Sequence, residues 1–293
     1  MAAPVVTCYR HPGRRAGVTC QRCDQPICPD CMVQAAVGFH CPDCVARYER
    51  SVPKVRLHSQ RKPVATMTLI GLNVAVFLLG VATSVEDALG QYNPLAEDWG
   101  LIGNVAMAPD LGVAGGEVWR IVSAAFLHAG PFHLLMNMAA LWLLGSQLER
   151  AMGPARYVAL YITALFAGAF GVLLVDPTAL TVGASGAVFG LMGAAFALQK
   201  RRGIDPWASG VGGLIIVNLL FTFFYPGISV GGHVGGLLGG ALAGYVVFTL
   251  EDKSPSAAPA LGACAALSTV FFAGCLAVAG QDPGLLSFLN ING

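Results

Sequence analysis

Three groups of side chains in this sequence have the types and spacing to do chemistry. Gly183-Ala184-Ser185-Gly186 sets a serine among glycines, which admit a close backbone approach. It stands at the expected start of a helix, whose free N–H groups can receive a developing oxyanion. Gly231-Gly232-His233-Val234-Gly235-Gly236 supplies a histidine, and its Nε2 brought to Ser185 Oγ would make a nucleophile and its base. His128, His133 and Asn137 form the third group, with His133 and Asn137 four residues apart and therefore on one helical face. No carboxylate lies in the apolar runs that hold Ser185 and His233, so the arrangement predicts a Ser-His dyad and not a triad.

A different chemistry occupies the first 44 residues. Cys8-x2-His11, Cys20-x2-Cys23, Cys28-x2-Cys31 and Cys41-x2-Cys44 are four pairs at metal-ligand spacing, eight ligands in all. Tetrahedral zinc takes four, so two zinc ions fit. A cross-braced pairing puts Cys8, His11, Cys28 and Cys31 on one ion and Cys20, Cys23, Cys41 and Cys44 on the other, with His40 as the alternative to Cys41. Disulfides do not suit the compartment, since no apolar signal segment opens the chain and a cytoplasmic head is expected. A module of this size has too little core to fold without its metal. It leaves room for a cytoplasmic protein partner. Its basic residues do not interleave with an aromatic stripe, so nucleic-acid binding is not expected.

The elements that carry Ser185 and His233 have to live in lipid. Of 293 residues 55% are hydrophobic and 11% charged, and the mean hydropathy is +0.65. A water-soluble globule has about 25% charged residues. A net charge of +1 gives no field for a polyanion. Charge-free runs predict membrane helices at Val64 to Thr83, Pro131 to Leu148, Tyr157 to Val175, within Pro177 to Gln199, twice within Pro206 to Leu250 with a break at Tyr225-Pro226-Gly227, and at Leu261 to Gly280. With the N-terminus inside, sixteen of the seventeen Lys and Arg lie on cytoplasmic segments and only Arg120 lies outside. This multi-pass orientation in a cell membrane puts the C-terminus outside, and all three chemical groups fall at the outer ends of helices. Ser185 precedes Lys200 by fifteen residues, about 22 Å of helix, so a Lys200 at the inner surface leaves Ser185 below the outer one. Glycines 232, 236 and 240 face an equivalent stripe of Gly186, Gly190 and Ala194, which would let the two helices meet closely. Outer loop Ser84 to Gly130 is too apolar for a tether, Cys264 and Cys275 read as small hydrophobes, and His58 falls in a basic linker suited to anionic lipid heads.

Between Val64 and Leu250 the chain resembles the rhomboid family of intramembrane serine proteases. Trp119-Arg120, His128, His133 with Asn137, Glu149, Gly183-Ala184-Ser185-Gly186 and His233-Val-Gly-Gly match its motifs in order. The resemblance implies an all-α polytopic membrane protein with a six-helix core, a C-terminal seventh transmembrane helix and a small zinc-binding domain in front. It implies Ser185 as nucleophile, His233 as base, and an oxyanion held by His133, Asn137 and the Ser185 N–H, with water reaching a polar cavity around His128 and His133. The substrates implied are transmembrane segments of other proteins, cut near the extracytoplasmic face. Phe189 stands where many members have a tyrosine stacked on the histidine, so stacking is kept without the hydroxyl. The head resembles a B-box or related cross-brace finger. The alternatives are an inactive rhomboid-like protein that binds membrane clients, whose relatives usually lack the serine or histidine, and a transporter, for which no inverted repeat is apparent. Arg120 is expected to tie loop carbonyls together, and the seventh helix to be an anchor or packing element.

Overall fold

The computed structural model describes residues 6–35, 37–51, 62–83 and 95–281. His58, most of the basic linker, and Glu86 and Asp87 of the outer loop lie outside the described residues. The chain divides into two compact units, residues 1–56 and 57–293.

In the first unit, β1 (Val18–Thr19) pairs with β2 (Pro26–Ile27), β3 (Val33–Gln34) pairs with β4 (Phe39–His40), and α1 (Pro42–Ser51) follows. The buried residues here are Cys8, Cys20, Ile27, Cys28, Cys31 and Cys41. Only Ile27 among them is hydrocarbon. Apolar burial therefore contributes little, and the thiols must contribute to stability by some other means than packing.

The second unit runs from α2 (Val64–Thr83) through two short helices, α3 (Ala96–Trp99) and α4 (Arg120–Ser123), to α5 (Pro131–Ala140). A wide helical turn, Leu141–Gly145, joins α5 to α6 (Ser146–Met152). Then come α7 (Pro154–Val175), α8 (Ser185–Arg201), α9 (Val211–Phe224), α10 (Val230–Lys253) and α11 (Ala258–Val278). Helices α2, α7, α10 and α11 are long and apolar enough to cross a bilayer, and Pro131–Met152 makes a fifth when taken with Arg120–Phe126, from which it bends by 94°. The 17 residues of α8 and 14 of α9 reach about 25 and 21 Å, less than a hydrocarbon layer of about 30 Å. This is the all-α architecture of six helices plus one, behind a small Cys/His-rich head.

Several boundaries differ from the sequence expectation: α8 runs on to Arg201, α10 to Lys253, and α11 spans Ala258–Val278 where Leu261 to Gly280 was expected. The second membrane helix continues past Leu148 to Met152, because no breaker occurs before Gly153, which turns the chain at φ 82°. The third starts at Pro154 and not Tyr157, since proline suits a first helical position, where its missing N–H would have no partner.

Glycine sets the approach of α7, α8 and α10. A Cβ at Gly236 would land on the Gly186 carbonyl, one at Gly240 on Gly190, and one at Gly171 on Gly231. The small-residue stripes do meet: Gly236 sits against Gly186, Gly240 against Gly190 and Gly244 against Ala194, while Gly186 and Gly190 in turn face the carbonyls of Gly232 and Gly236. Such contact puts backbone on backbone, the arrangement that makes dispersion attraction effective where water supplies no hydrophobic drive.

Residues 95–130 form a folded layer. Leu101, Val113, Ile121 and Ala124 are buried with Ala169, Val172 and Leu173 of α7, and with Cys275 and Ala279. Cys264 and Cys275 are fully buried, as small hydrophobes should be. Helix α11 packs on α7 through Phe272 on Phe166 and through the Thr163 hydroxyl, which lies 3.0 Å from the Ser268 hydroxyl.

Candidate active site

The serine is held by three features of its local sequence. Thr181 exchanges backbone hydrogen bonds with Leu101 (2.8 and 2.9 Å), and the Gly183 N–H donates to the Ala124 carbonyl at 2.9 Å, so the layer of residues 95–130 fixes the segment leading to it. Gly183 has φ +132°, a conformation that side chains rarely adopt. Ser185 is then the first residue of α8, half-buried, with its N–H among the helix's unpaired first donors.

Ser185 and His233 line one cavity of about 40 Å3, together with Gly183, Ser229, Gly232 and Thr181, which is room for one or two waters. The imidazole of His233 is buried, and the Phe189 ring stacks on it with centroids 4.0 Å apart and planes 17° from parallel. Ser229 caps α10 by accepting the Gly232 N–H at 3.1 Å.

His133 and Asn137 stand on α5, one turn apart. The Ala129 N–H donates to His133 Nδ1 at 3.3 Å, which makes Nδ1 the acceptor and leaves the proton of a neutral ring on Nε2. That Nε2–H lies beside Gly183: a Cβ built there would be 3.0 Å from it and 3.6 Å from Ser185 Oγ. Asn137 gives one amide N–H to the His133 carbonyl at 2.9 Å. His128 is fully buried and meets the His133 ring edge to face at 5.1 Å. Neither histidine of this pair lines the 40 Å3 cavity, which is bounded by Ser185 and His233 instead.

One contact was invisible to residue spacing. Thr222 of α9, fully buried, places its hydroxyl 2.7 Å from His233 Nδ1. A hydroxyl in a helix whose other polar side chain is Asn218, one turn earlier, was the available signal, as polar groups at membrane depth are costly.

Two ion-based supports stand outside the site. Arg120, 3% exposed, donates to Glu117 at 2.6 Å and to the carbonyls of Glu97 and Gly100 at 2.7 and 2.9 Å, so it does tie the loop together. The Arg120 guanidinium, with the Gly112 N–H, holds the Glu117 carboxyl below the usual carboxylate range. Glu149 accepts from Ala65 N–H, Thr66 N–H and the Thr66 hydroxyl at 2.9, 2.8 and 2.7 Å, so its carboxylate closes the N-terminus of α2.

The head holds two groups able to take metal ions: Cys8, His11, Cys28 and Cys31, and Cys20, Cys23, Cys41 and Cys44, with the ligand atoms of each within 4.8 Å of one another. Cys41, and not its neighbour His40, belongs to the second. His11 Nδ1 lies 3.9, 3.4 and 3.3 Å from the sulfurs of Cys8, Cys28 and Cys31. The edges of a tetrahedral zinc site with these ligands are roughly 3.5–3.8 Å, so the donor set fits. Burial works against ionisation of Cys8, yet the N–H groups of Arg10, Cys28 and His11 bring its thiol down to about 6. In the same group, burial and the Cys8 and Cys28 sulfurs push Cys31 up to about 11. Thiols this close cannot all ionise without a cation between them.

Residues 115–250 match the Rhomboid domain model. Rhomboid protease GluP of Bacillus subtilis (strain 168) is 33% identical over 179 residues, covering 59% of this chain and 32% of that protein. Putative rhomboid protease YdcA of the same organism is 44% identical over 85 residues, 29% of this chain and 43% of its own. Rhomboid-related protein 2 of Mus musculus is 32% identical over 154 residues, 47% of this chain and 51% of its own. The chain thus spans about a third to a half of the length of these relatives. The motif residues from Trp119 to His233 all fall within the matched segment, so residues 115–250 of this chain are similar to the Rhomboid domain.

Proposed function

We propose that this protein is an intramembrane serine endopeptidase that cuts transmembrane segments of other membrane proteins near the extracytoplasmic face. The observation that carries the reading is the shared cavity: a serine at a helix N-terminus and a histidine stacked on Phe189 line the same small space. Ser185 Oγ attacks the scissile carbonyl while its proton passes to His233 Nε2. The oxyanion takes the Ser185 N–H, the His133 Nε2–H and the second amide N–H of Asn137. Collapse breaks the peptide C–N bond, the amine leaves with the proton from His233, and water then hydrolyses the acyl-enzyme with His233 as base again. The Lys and Arg bias supports an N-terminus in the cytoplasm and a C-terminus outside.

In the head we assign two zinc ions, one to each ligand group, with a structural role. Zinc there supplies folding free energy to a unit whose buried side chains are mostly thiols. All eight ligands lie in residues 8–44, so none comes from the unit that holds Ser185.

The test is labelling of the purified protein by a fluorophosphonate, paired with cleavage of a model transmembrane substrate. Labelling and cleavage by the wild type, and neither by Ser185→Ala, are expected. Equal labelling of both would overturn the nucleophile, and client binding with no cleavage would favour an inactive rhomboid-like protein.

A further inference from the structure

Helix α9 turns most of its surface outward: of its fourteen residues only Gly212 and Thr222 are buried, while Phe221 and Phe224 beside Thr222 are 52% and 81% exposed. Two groups close to the buried hydroxyl bear on where its proton lies. Thr222 Oγ1 lies 2.7 Å from the Asn218 carbonyl oxygen, one turn earlier, and 2.7 Å from His233 Nδ1.

A hydroxyl has a single proton. Two oxygens at 2.7 Å repel unless a proton lies between them, and a carbonyl cannot supply it, so Thr222 donates to Asn218. Its lone pair then faces His233, and the contact at 2.7 Å is attractive only with a hydrogen on Nδ1. A neutral imidazole protonated at Nδ1 has its lone pair on Nε2.

We infer that Thr222 is a positioning residue that holds His233 in the Nδ1–H tautomer and so makes Nε2 the base; this rests on the reading of Ser185 and His233 as nucleophile and base. The two supports of the ring divide the work. Stacking on Phe189 at 4.0 Å fixes the plane of the imidazole, but a half-turn about its Cβ–Cγ bond keeps the same stack while exchanging Nε2 for Cε1. The Thr222 bond excludes that half-turn, because it would put a carbon against the hydroxyl. Thr222, acting with its Asn218 acceptor, therefore takes the orienting role for which the sequence offers no carboxylate, in the same sense that a third group orients the base in serine hydrolases generally.

The full chain, labelled with 15N-histidine in micelles, tests this directly, with the His233 signals identified by their loss in His233→Gln. The wild type should show a pyrrole-type nitrogen at Nδ1 and a pyridine-type nitrogen at Nε2. Thr222→Val should admit the other tautomer and slow fluorophosphonate labelling about tenfold, the rate equivalent of one neutral hydrogen bond. Thr222→Ser should restore both readouts. A wild-type His233 protonated at Nε2 would overturn the inference, as would a folded Thr222→Val with wild-type spectrum and rate. Should Thr222→Val fail to fold, the wild-type spectrum and Thr222→Ser still decide. If Ser185 is not labelled at all, the protease reading fails, whereas the spectrum continues to report on Thr222 separately.

Discussion

Replacing Gly183 by alanine probes the site at its tightest point. The backbone there has φ +132°, and an added Cβ would stand 2.8 Å from His133 Cε1 and 3.0 Å from Nε2. Ordinary contact begins near 3.4 Å, so the imidazole or the strand must give by about 0.6 Å. The chain cannot relax by changing φ freely, because the Gly183 N–H is bonded to Ala124 at 2.9 Å and the Thr181 bridge precedes it. The strained conformation alone should cost about 1–3 kcal/mol of stability. The larger effect should be on rate: moving His133 displaces the proposed oxyanion donor beside Ser185, and losing one such donor costs about 10²- to 10³-fold. Cleavage of a model substrate, with thermal unfolding in detergent as the control for folding, measures both. The cause is separated by a double-mutant cycle, since Gly183→Ala added to His133→Ala should lose little further activity. A folded Gly183→Ala that cuts at the wild-type rate would refute the reasoning, as would full additivity with His133→Ala.

Three further outcomes are expected. His133→Ala and Asn137→Ala should each slow cleavage by about 10²-fold or more while the protein stays folded; an Asn137→Ala at the wild-type rate would leave that amide as a helix-packing bond only. Metal analysis of the full chain should give two zinc ions, falling to one in Cys41→Ser and staying at two in His40→Ala, while a chain truncated to begin at residue 57 should still cleave; a count of one in the wild type would refute the eight-ligand assignment. Glu149→Leu should destabilise the membrane unit by roughly 3–9 kcal/mol, because it strands two N–H groups and a hydroxyl at about 1–3 kcal/mol each, and an unchanged unfolding midpoint would show that water satisfies them instead.

The residue types, their order and their spacing were enough to place the membrane helices, the glycine-flanked serine and histidine, and the two interleaved ligand groups. These are local properties: apolar length, proline starts and x2 spacings are set within a few residues. Boundaries slipped by a few residues, as where the helix expected to end at Leu148 ran on to Met152. The choice between His40 and Cys41 also needed coordinates, because neighbours in sequence share a spacing but not a direction. Tertiary structure decided which faces meet. Helices that are apolar all round carry no amphipathic stripe to say which side turns inward, so the seating of Gly236 between Gly186 and Gly190 follows from three-helix packing. The same packing brings Glu149 to Thr66, 83 residues away, and Thr222 to His233. Sequence alone thus determined which chemical groups this membrane protein carries and near which helix ends they lie. Only the fold decided how they are oriented, because orientation depends on the rotation of each helix about its axis, a quantity set by contacts distant in the chain.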